Sequence, residues 1–313
     1  MFSNTSIVAY VLGLLTFVLA PRLLGGFFRL FNYGPPPRRD IYGLEHALLN
    51  MRLPPETMWL NMAYWKNTSD FPTACNNLLQ LLLEKSEILK TPSSRPIRLW
   101  DLGFDCGDQT ISLCTELSRA GLTLCKYDGL TINRSQFLHA QARIQAHIEA
   151  HPYLGADNNK KDSLSIIELH LTDASKPSSP PSRAPALQHV SRELESSLLA
   201  FDLLRSGSAT ALQRVLLRLV CAVTQILYAN RLTEEEYRDM LAAAGYAREN
   251  IAVCDVSADV FPGLERFISA RGLMVRDVGV LKGWGGFGAV GRVVGWWGRS
   301  GVVRGCVLVA RRA

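Results

Sequence analysis

The sequence predicts an α/β fold, a mostly parallel sheet with helices on both faces, preceded by a hydrophobic N-terminal helix. Three observations carry that prediction. Strand-like and helix-like segments alternate through the middle of the chain, a glycine turn follows the first strand of the series, and an uncharged run opens the sequence.

The run IVAYVLGLLTFVLA, Ile7 to Ala20, holds no charged residue. Fourteen residues at a rise of ~1.5 Å reach ~21 Å, short of the ~30 Å hydrocarbon core, so a full span draws on Phe2, the 23–28 stretch and snorkelling of Arg22. No Lys or Arg precedes the run, whereas Arg22, Arg29, Arg38 and Arg39 follow it. That asymmetry favours a retained anchor with the rest of the chain in the cytosol, on the endoplasmic reticulum. A signal peptide ending at Val18-Leu19-Ala20, and a surface-lying or core helix, are the alternatives. Residues 1–33 are thus read as a single-pass anchor, 34–52 (with Gly34-Pro35-Pro36-Pro37) as a stiff linker, and 53–313 as the main domain.

Within that domain, apolar periodicity predicts a helix over 75–89 and a strand over 97–102, then a helix over 110–120, a strand over 122–127 and a helix over 135–150. A strand follows at 165–171. The stretch 175–190 is a Ser/Pro-rich loop, because SKPSSPPSR holds neither a helix nor a central strand. Beyond it come a strand at 199–204, helices at 209–228 and 233–244, and strands at 251–256 and 302–310. Thr233 with three following glutamates marks one helix start.

Composition narrows the chemistry. The 313 residues, 48% hydrophobic and 20% charged, suit one substantial domain plus an appendage. Seven cysteines form no C-x-x-C pair and no zinc-spaced group with histidine, so no metal is expected and the thiols read as mostly buried. His139, His147, His151 and His170 lack a nucleophile partner, which argues against hydrolase chemistry. Residues 271–313 carry eight Lys/Arg against Asp277 and are interleaved with Trp284, Trp296 and Trp297. Such a tail suits a lipid headgroup layer, or a solvated face over an aromatic contact; nucleic acid is not expected. Gly286 to Gly291 spells G-x-G-x-x-G, but no acidic residue follows at the distance a dinucleotide needs.

The most informative segment is Asp101-Leu102-Gly103-Phe104-Asp105-Cys106-Gly107-Asp108-Gln109-Thr110. A strand ending in an acid, glycines in a sharp turn and a helix N-terminus give a nucleotide close backbone approach and free N–H donors. A second site, Asp128-Gly129-Leu130-Thr131-Ile132-Asn133-Arg134-Ser135-Gln136, begins 21 residues after Gly107, past the second strand. Asp173-Ala174 follows the third. Three such strand ends form one crevice.

DLGFDCGDQT, GLTINRSQ and LTDA resemble the cofactor motifs of class I S-adenosylmethionine-dependent methyltransferases, in the branch of cyclopropane synthases and sterol and tocopherol methyltransferases, including membrane-tethered fungal members. TMWLNMAYWK, Thr57 to Lys66, is similar to that branch's aromatic segment, and LTEEEYRDMLAAAGY to the helix before its last two strands. The resemblance implies a Rossmann-like fold and S-adenosylmethionine as cofactor. It places Asp101, Gly103 and Gly107 at the methionine end of the site, Asp108, Gln109 and Thr131 beside methionine and ribose, Gln136 nearby, and Asp173 with Ala174 at adenine. Tyr64 and Trp65 would close a lid; as residues alone they also read as a core aromatic pair. The implied activity is methyl transfer to a lipophilic small molecule at a membrane, with membrane lipid as a partner.

Two departures from the family pattern stand out. Asp105 replaces the middle glycine and brings a charge toward the cofactor's carboxylate. The family's fourth strand and the loop after it have no counterpart between Asp173 and Leu199, so no catalytic base can be named. The alternative is therefore a catalytically impaired, methyltransferase-like binding protein, or a truncated gene product.

Overall fold

The computed structural model describes residues 55–90, 96–150, 167–171, 197–224, 228–277 and 284–311. The proposed anchor, the linker, the Ser/Pro-rich loop, Asp173 and Ala174 lie outside this set. Among the described residues no helix is long and apolar enough to cross a membrane. The chain divides into two compact units, one within Arg52–Leu264 and Gly295–Ala313 and the other containing Glu265–Val294.

Helix α1 (Phe71–Ser86) starts where the Asp70 carboxylate accepts from the Thr73 amide and Pro72 occupies the first turn. It ends at Glu87, whose φ of 59° halts the helical path. Its inner stripe, Ala74, Cys75, Leu78, Leu79 and Leu83, follows the three-to-four spacing of one helix face. Three parallel strands follow: β1 (Ile97–Leu102), β2 (Leu124–Thr131) and β3 (Ile167–Leu171), linked by α2 (Asp108–Arg119) and α3 (Arg134–Ala150). β2 is central, with Asp101 opposite Gly129 and Thr131 opposite Leu171. Phe104, Ala140 and Ile144 are buried with Ile167 and Leu169 against them, so α3 covers one face of this sheet.

A second sheet is antiparallel. β4 (Leu198–Arg205) and β5 (Ile251–Asp255) flank β6 (Val303–Ala310). Between β4 and β5 run α4 (Ala211–Val223) and α5 (Glu234–Ala243), both opened by capping boxes, Thr210 with Gln213 and Thr233 with Glu236. The core here gathers Leu204, Tyr237, Leu241, Tyr246, Ile251, Cys306 and Leu308. Helix α1 packs against α2, β4 and β6.

The structure corrects one expectation. The strands do not form one mostly parallel sheet covered on both faces: among the described residues β1 and β4 share no ladder, and the face of the parallel sheet bearing Arg98, Trp100, Leu102, Glu168 and His170 is exposed. Alternating segments predict how many strands exist, but not which edges meet. In the basic tail the structure agrees with the reading of a face over an aromatic contact and with the strand expected at 302–310. Its last part is the central strand β6; Arg304 pairs with Glu234, Arg311 with Glu87, and Trp297 is buried edge-on to Phe261.

Two long helices, α6 (Ser257–Asp277) and α7 (Trp284–Ser300), arise where periodicity predicts none. Pro262 lies inside the first, and the second is rich in glycine, each a strong helix-breaking signal. Close packing explains two of the glycines: a Cβ on Gly291 would come 2.9 Å from Ile268, and one on Gly298 would come 3.2 Å from Phe261, whereas Gly286 faces open space. The G-x-G-x-x-G run is thus helix interior.

Candidate functional site

The turn after β1 carries three left-handed residues in alternation, Gly103 at φ 100°, Asp105 at φ 52° and Gly107 at φ 93°. Glycine adopts such angles freely, whereas a residue with a Cβ pays ~1 kcal/mol or more, Asp being among the more tolerant. Gly107 is also pressed onto α3, since a Cβ there would lie 3.2 Å from Ala140. This contact sets the N-terminus of α2 beside α3 and leaves the first-turn amides of α2 without helical partners. The Gly103 amide donates to the Leu130 carbonyl at 2.8 Å, which holds the ends of β1 and β2 side by side.

Behind the turn lies a polar network. The Tyr127 hydroxyl donates to Asp101 at 2.6 Å and lies 2.8 Å from the Thr110 hydroxyl, while Gln109 Nε2 donates to Asp101 at 3.2 Å. Burial pushes the Asp101 carboxyl up, and the bonds from Tyr127 and Gln109 oppose it. Asp108 is buried and spends both oxygens on the protein: the Met58 amide donates at 2.9 Å and Arg143 at 2.7 Å. It therefore ties the 55–65 segment and α3 to α2. Asp105, half-buried, is pushed up to about 6 by burial and by Asp101 and Asp108 nearby.

At the end of β2, Thr131 is buried; its hydroxyl accepts from the Asn133 amide at 3.2 Å and donates to Gln136 at 3.3 Å. Asn133 receives the amides of Ser135 and Gln136 and so starts α3. The structure thus brings Asp101, Gly103, Asp105, Gly107, Gln109 and Thr131 together at two neighbouring strand ends.

Tyr64 and Trp65 are fastened to the start of α6. The Tyr64 hydroxyl donates to Asp259 at 3.2 Å, which with burial pushes its pKa up, and the Trp65 amide donates to the Asp259 carbonyl at 2.8 Å. The Trp65 ring lies so close to Gly263 that a Cβ there would overlap it at 2.1 Å. Sequence reasoning missed the packing of Gly263 on Trp65, because a glycine after a proline reads as a loop.

A further cluster joins Asp128 on β2 to Glu168 and His170 on β3, with ligand atoms within 4.8 Å of one another. Lys126 already supplies a cation there, 3.2 Å from Asp128 and 3.4 Å from Glu168. An open groove of about 390 Å³ between α1 and α2, lined by Trp59, Asn76, Thr115 and Arg119, lies apart from the glycine turn.

No family model and no curated protein matches the chain. Among solved structures it is similar to a mycolic acid cyclopropane synthase complexed with SAH and CTAB, at 13% identity and a TM-score of 0.57, over 81% of this chain and 90% of that one. A cyclopropane synthase from Mycobacterium tuberculosis matches at 12% identity and 0.55, over 81% and 90%. The cyclase SpnF matches at 16% identity and 0.52, over 81% and 87%. That a cyclase stands among them shows that the fold alone does not name the reaction. The chain has the class I S-adenosylmethionine-dependent methyltransferase fold.

Proposed function

We propose that the chain binds S-adenosylmethionine at the ends of β1 and β2 and transfers its methyl group to a lipophilic small molecule at a membrane. The observation that carries this is the turn Gly103–Gly107, with two glycines at positive φ and a helix N-terminus behind them, set beside Thr131. The residues fit the cofactor in three respects. Gly103 has open space where a Cβ would stand, the amides opening α2 suit a carboxylate, and the Thr131–Gln136 pair suits ribose hydroxyls. When bound, the cofactor supplies an electrophilic methyl group on a sulfonium. In this reading Asp173 and Ala174 serve adenine, and Tyr64 and Trp65, held by Asp259 and Gly263, cover the site.

Titration calorimetry of the full chain in detergent with S-adenosylhomocysteine tests the cofactor site. A saturable heat that Gly103→Val abolishes is expected, and no heat at high ligand concentration removes the reading. The membrane context rests on the uncharged opening run and the arginines behind it. It predicts that the full chain pellets with membranes and resists salt, whereas a form lacking residues 1–33 does not.

One observation favours a second reading, cofactor binding with poor or absent methyl transfer. Along the chain no described strand lies between β3 and β4, and none is bonded to β1 on the side away from β2. Turnover of labelled S-adenosylmethionine in membranes expressing the chain, beside a version with a strand and loop grafted after Ala174, separates the two. Transfer by the unmodified chain sinks this second reading.

A further inference from the structure

We infer that α4 is a membrane-docking helix, whose aliphatic stripe enters the surface of an anionic bilayer while Arg214 and Arg218 meet lipid phosphate. The inference concerns a surface away from the glycine turn and does not rest on methyl transfer.

Helix α4 buries one narrow face, through Leu217 and Cys221. Leu212, Val215, Leu216, Leu219 and Val223 are between 40% and 68% exposed. Their spacing of three, one, three and four residues puts all five on a single stripe of the helix. Scattered exposed leucines are ordinary on a protein surface, but a contiguous stripe of five marks an interaction face. Arg214 and Arg218, one turn apart, lie at the angular boundary between that stripe and the buried face.

Charge identifies the occupant. From Leu203 to Thr233 the sequence has no Asp or Glu, yet it carries Arg205, Arg214, Arg218 and Arg231. Arg205 pairs with Glu236. Among the described residues the other three have no carboxylate partner: Arg214 donates to the Ala209 carbonyl at 3.0 Å, Arg218 lies 5.1 Å from the Tyr228 ring centre, and Arg231 lies 5.5 Å from that of Trp297. Aliphatic residues bounded by arginines match the acyl and phosphate layers of an anionic leaflet. A second copy fits poorly, because pairing two such stripes brings arginines together with no acid on either side. A protein groove fits less well too, since the stripe lacks the aromatic anchors that dominate such contacts.

The test uses the full chain with its exposed thiol removed, Cys125→Ser, and a nitroxide on Leu219→Cys. Collision rates of the label with oxygen and with a water-soluble nickel chelate report its depth, whether or not the N-terminal run also holds the membrane. In vesicles of phosphatidylcholine and phosphatidylserine, oxygen access rises and nickel access falls relative to detergent-free protein without vesicles. Vesicles of phosphatidylcholine alone give the shallower state, and Arg214→Gln and Arg218→Gln each lower the docked fraction about fivefold. Leu216→Gln, an exposed change, also reduces docking. Unchanged collision rates in the mixed vesicles overturn the inference. Equal depth in neutral vesicles overturns the role of the arginines, and dipolar broadening between labels without vesicles assigns the face to a second copy instead.

Discussion

Tyr127 and Asp101 meet at 2.6 Å across the first two strands, the phenol of one donating to the carboxylate of the other. The pair couples the fully buried centre of β2 to the residue that opens the glycine turn. Tyr127→Phe removes the donor and also deserts Thr110. Asp101 then keeps only the longer bond from Gln109, and a buried acceptor that loses its short donor costs ~1–3 kcal/mol, so the urea midpoint of the variant should fall while its helical circular dichroism stays. An unchanged midpoint would show that water takes over the bond.

Asp105 should make stability and ligand binding depend on pH near neutrality. Its pKa of about 6 lies above that of an unfolded carboxylate, about 4. The stabilising contribution is thus complete below about pH 4 and is lost as pH rises through about 6. Asp105→Gly relieves both the charge and the left-handed Cβ, so it should raise stability at pH 7 more than at pH 4 and tighten S-adenosylhomocysteine binding most at the higher pH. Parallel pH series of unfolding and calorimetry would show it; identical slopes for wild type and variant count against it.

Gly103 and Gly107 should differ in tolerance although both have positive φ. Gly103→Ala meets open space and pays only backbone strain, ~1–2 kcal/mol. Gly107→Ala pays the same strain and also pushes a methyl to 3.2 Å from Ala140, so its loss should be larger. Ala140→Gly should recover part of the Gly107→Ala loss and nothing of the Gly103→Ala loss, read as thermal midpoints.

Arg143→Ala leaves the buried Asp108 carboxylate with the Met58 amide alone. Breaking a buried pair from one side costs ~3–5 kcal/mol, whereas removing both charges costs less. The double variant Asp108→Asn/Arg143→Ala should therefore be more stable than Arg143→Ala. A double variant that is less stable would mean that Asp108 is not the group Arg143 serves.

Most of the parallel half was legible in the sequence, since β1 occupies 97–102 as predicted and the ends of α3 and β3 fall within a residue or two. Strand periodicity and glycine punctuation are local signals, and this region obeys them except at β2, which was expected to end at Tyr127 but runs through Gly129 to Thr131 because its pairing with β1 and β3 carries it on. The motif residues were legible as a group for the same reason, but not their duties. That Asp108 is spent on Met58 and Arg143 depends on residues 50 and 35 positions away, which no spacing reveals. Helices α6 and α7 were illegible because Pro262 and the glycines oppose helix by propensity, and only contacts such as Gly298 with Phe261 overrule it. The division into two sheets was hidden too, because hydrogen bonding between strands leaves no periodic trace.

That division leaves β1 as an outermost strand among the described residues, bonded to β2 on one side only. Among the described residues no strand is bonded along its other side, which runs up to the glycine turn. Whatever segment lies parallel along that side of Ile97–Leu102 ends beside Asp101 and Gly103, so the neighbour of β1 bears directly on the crevice.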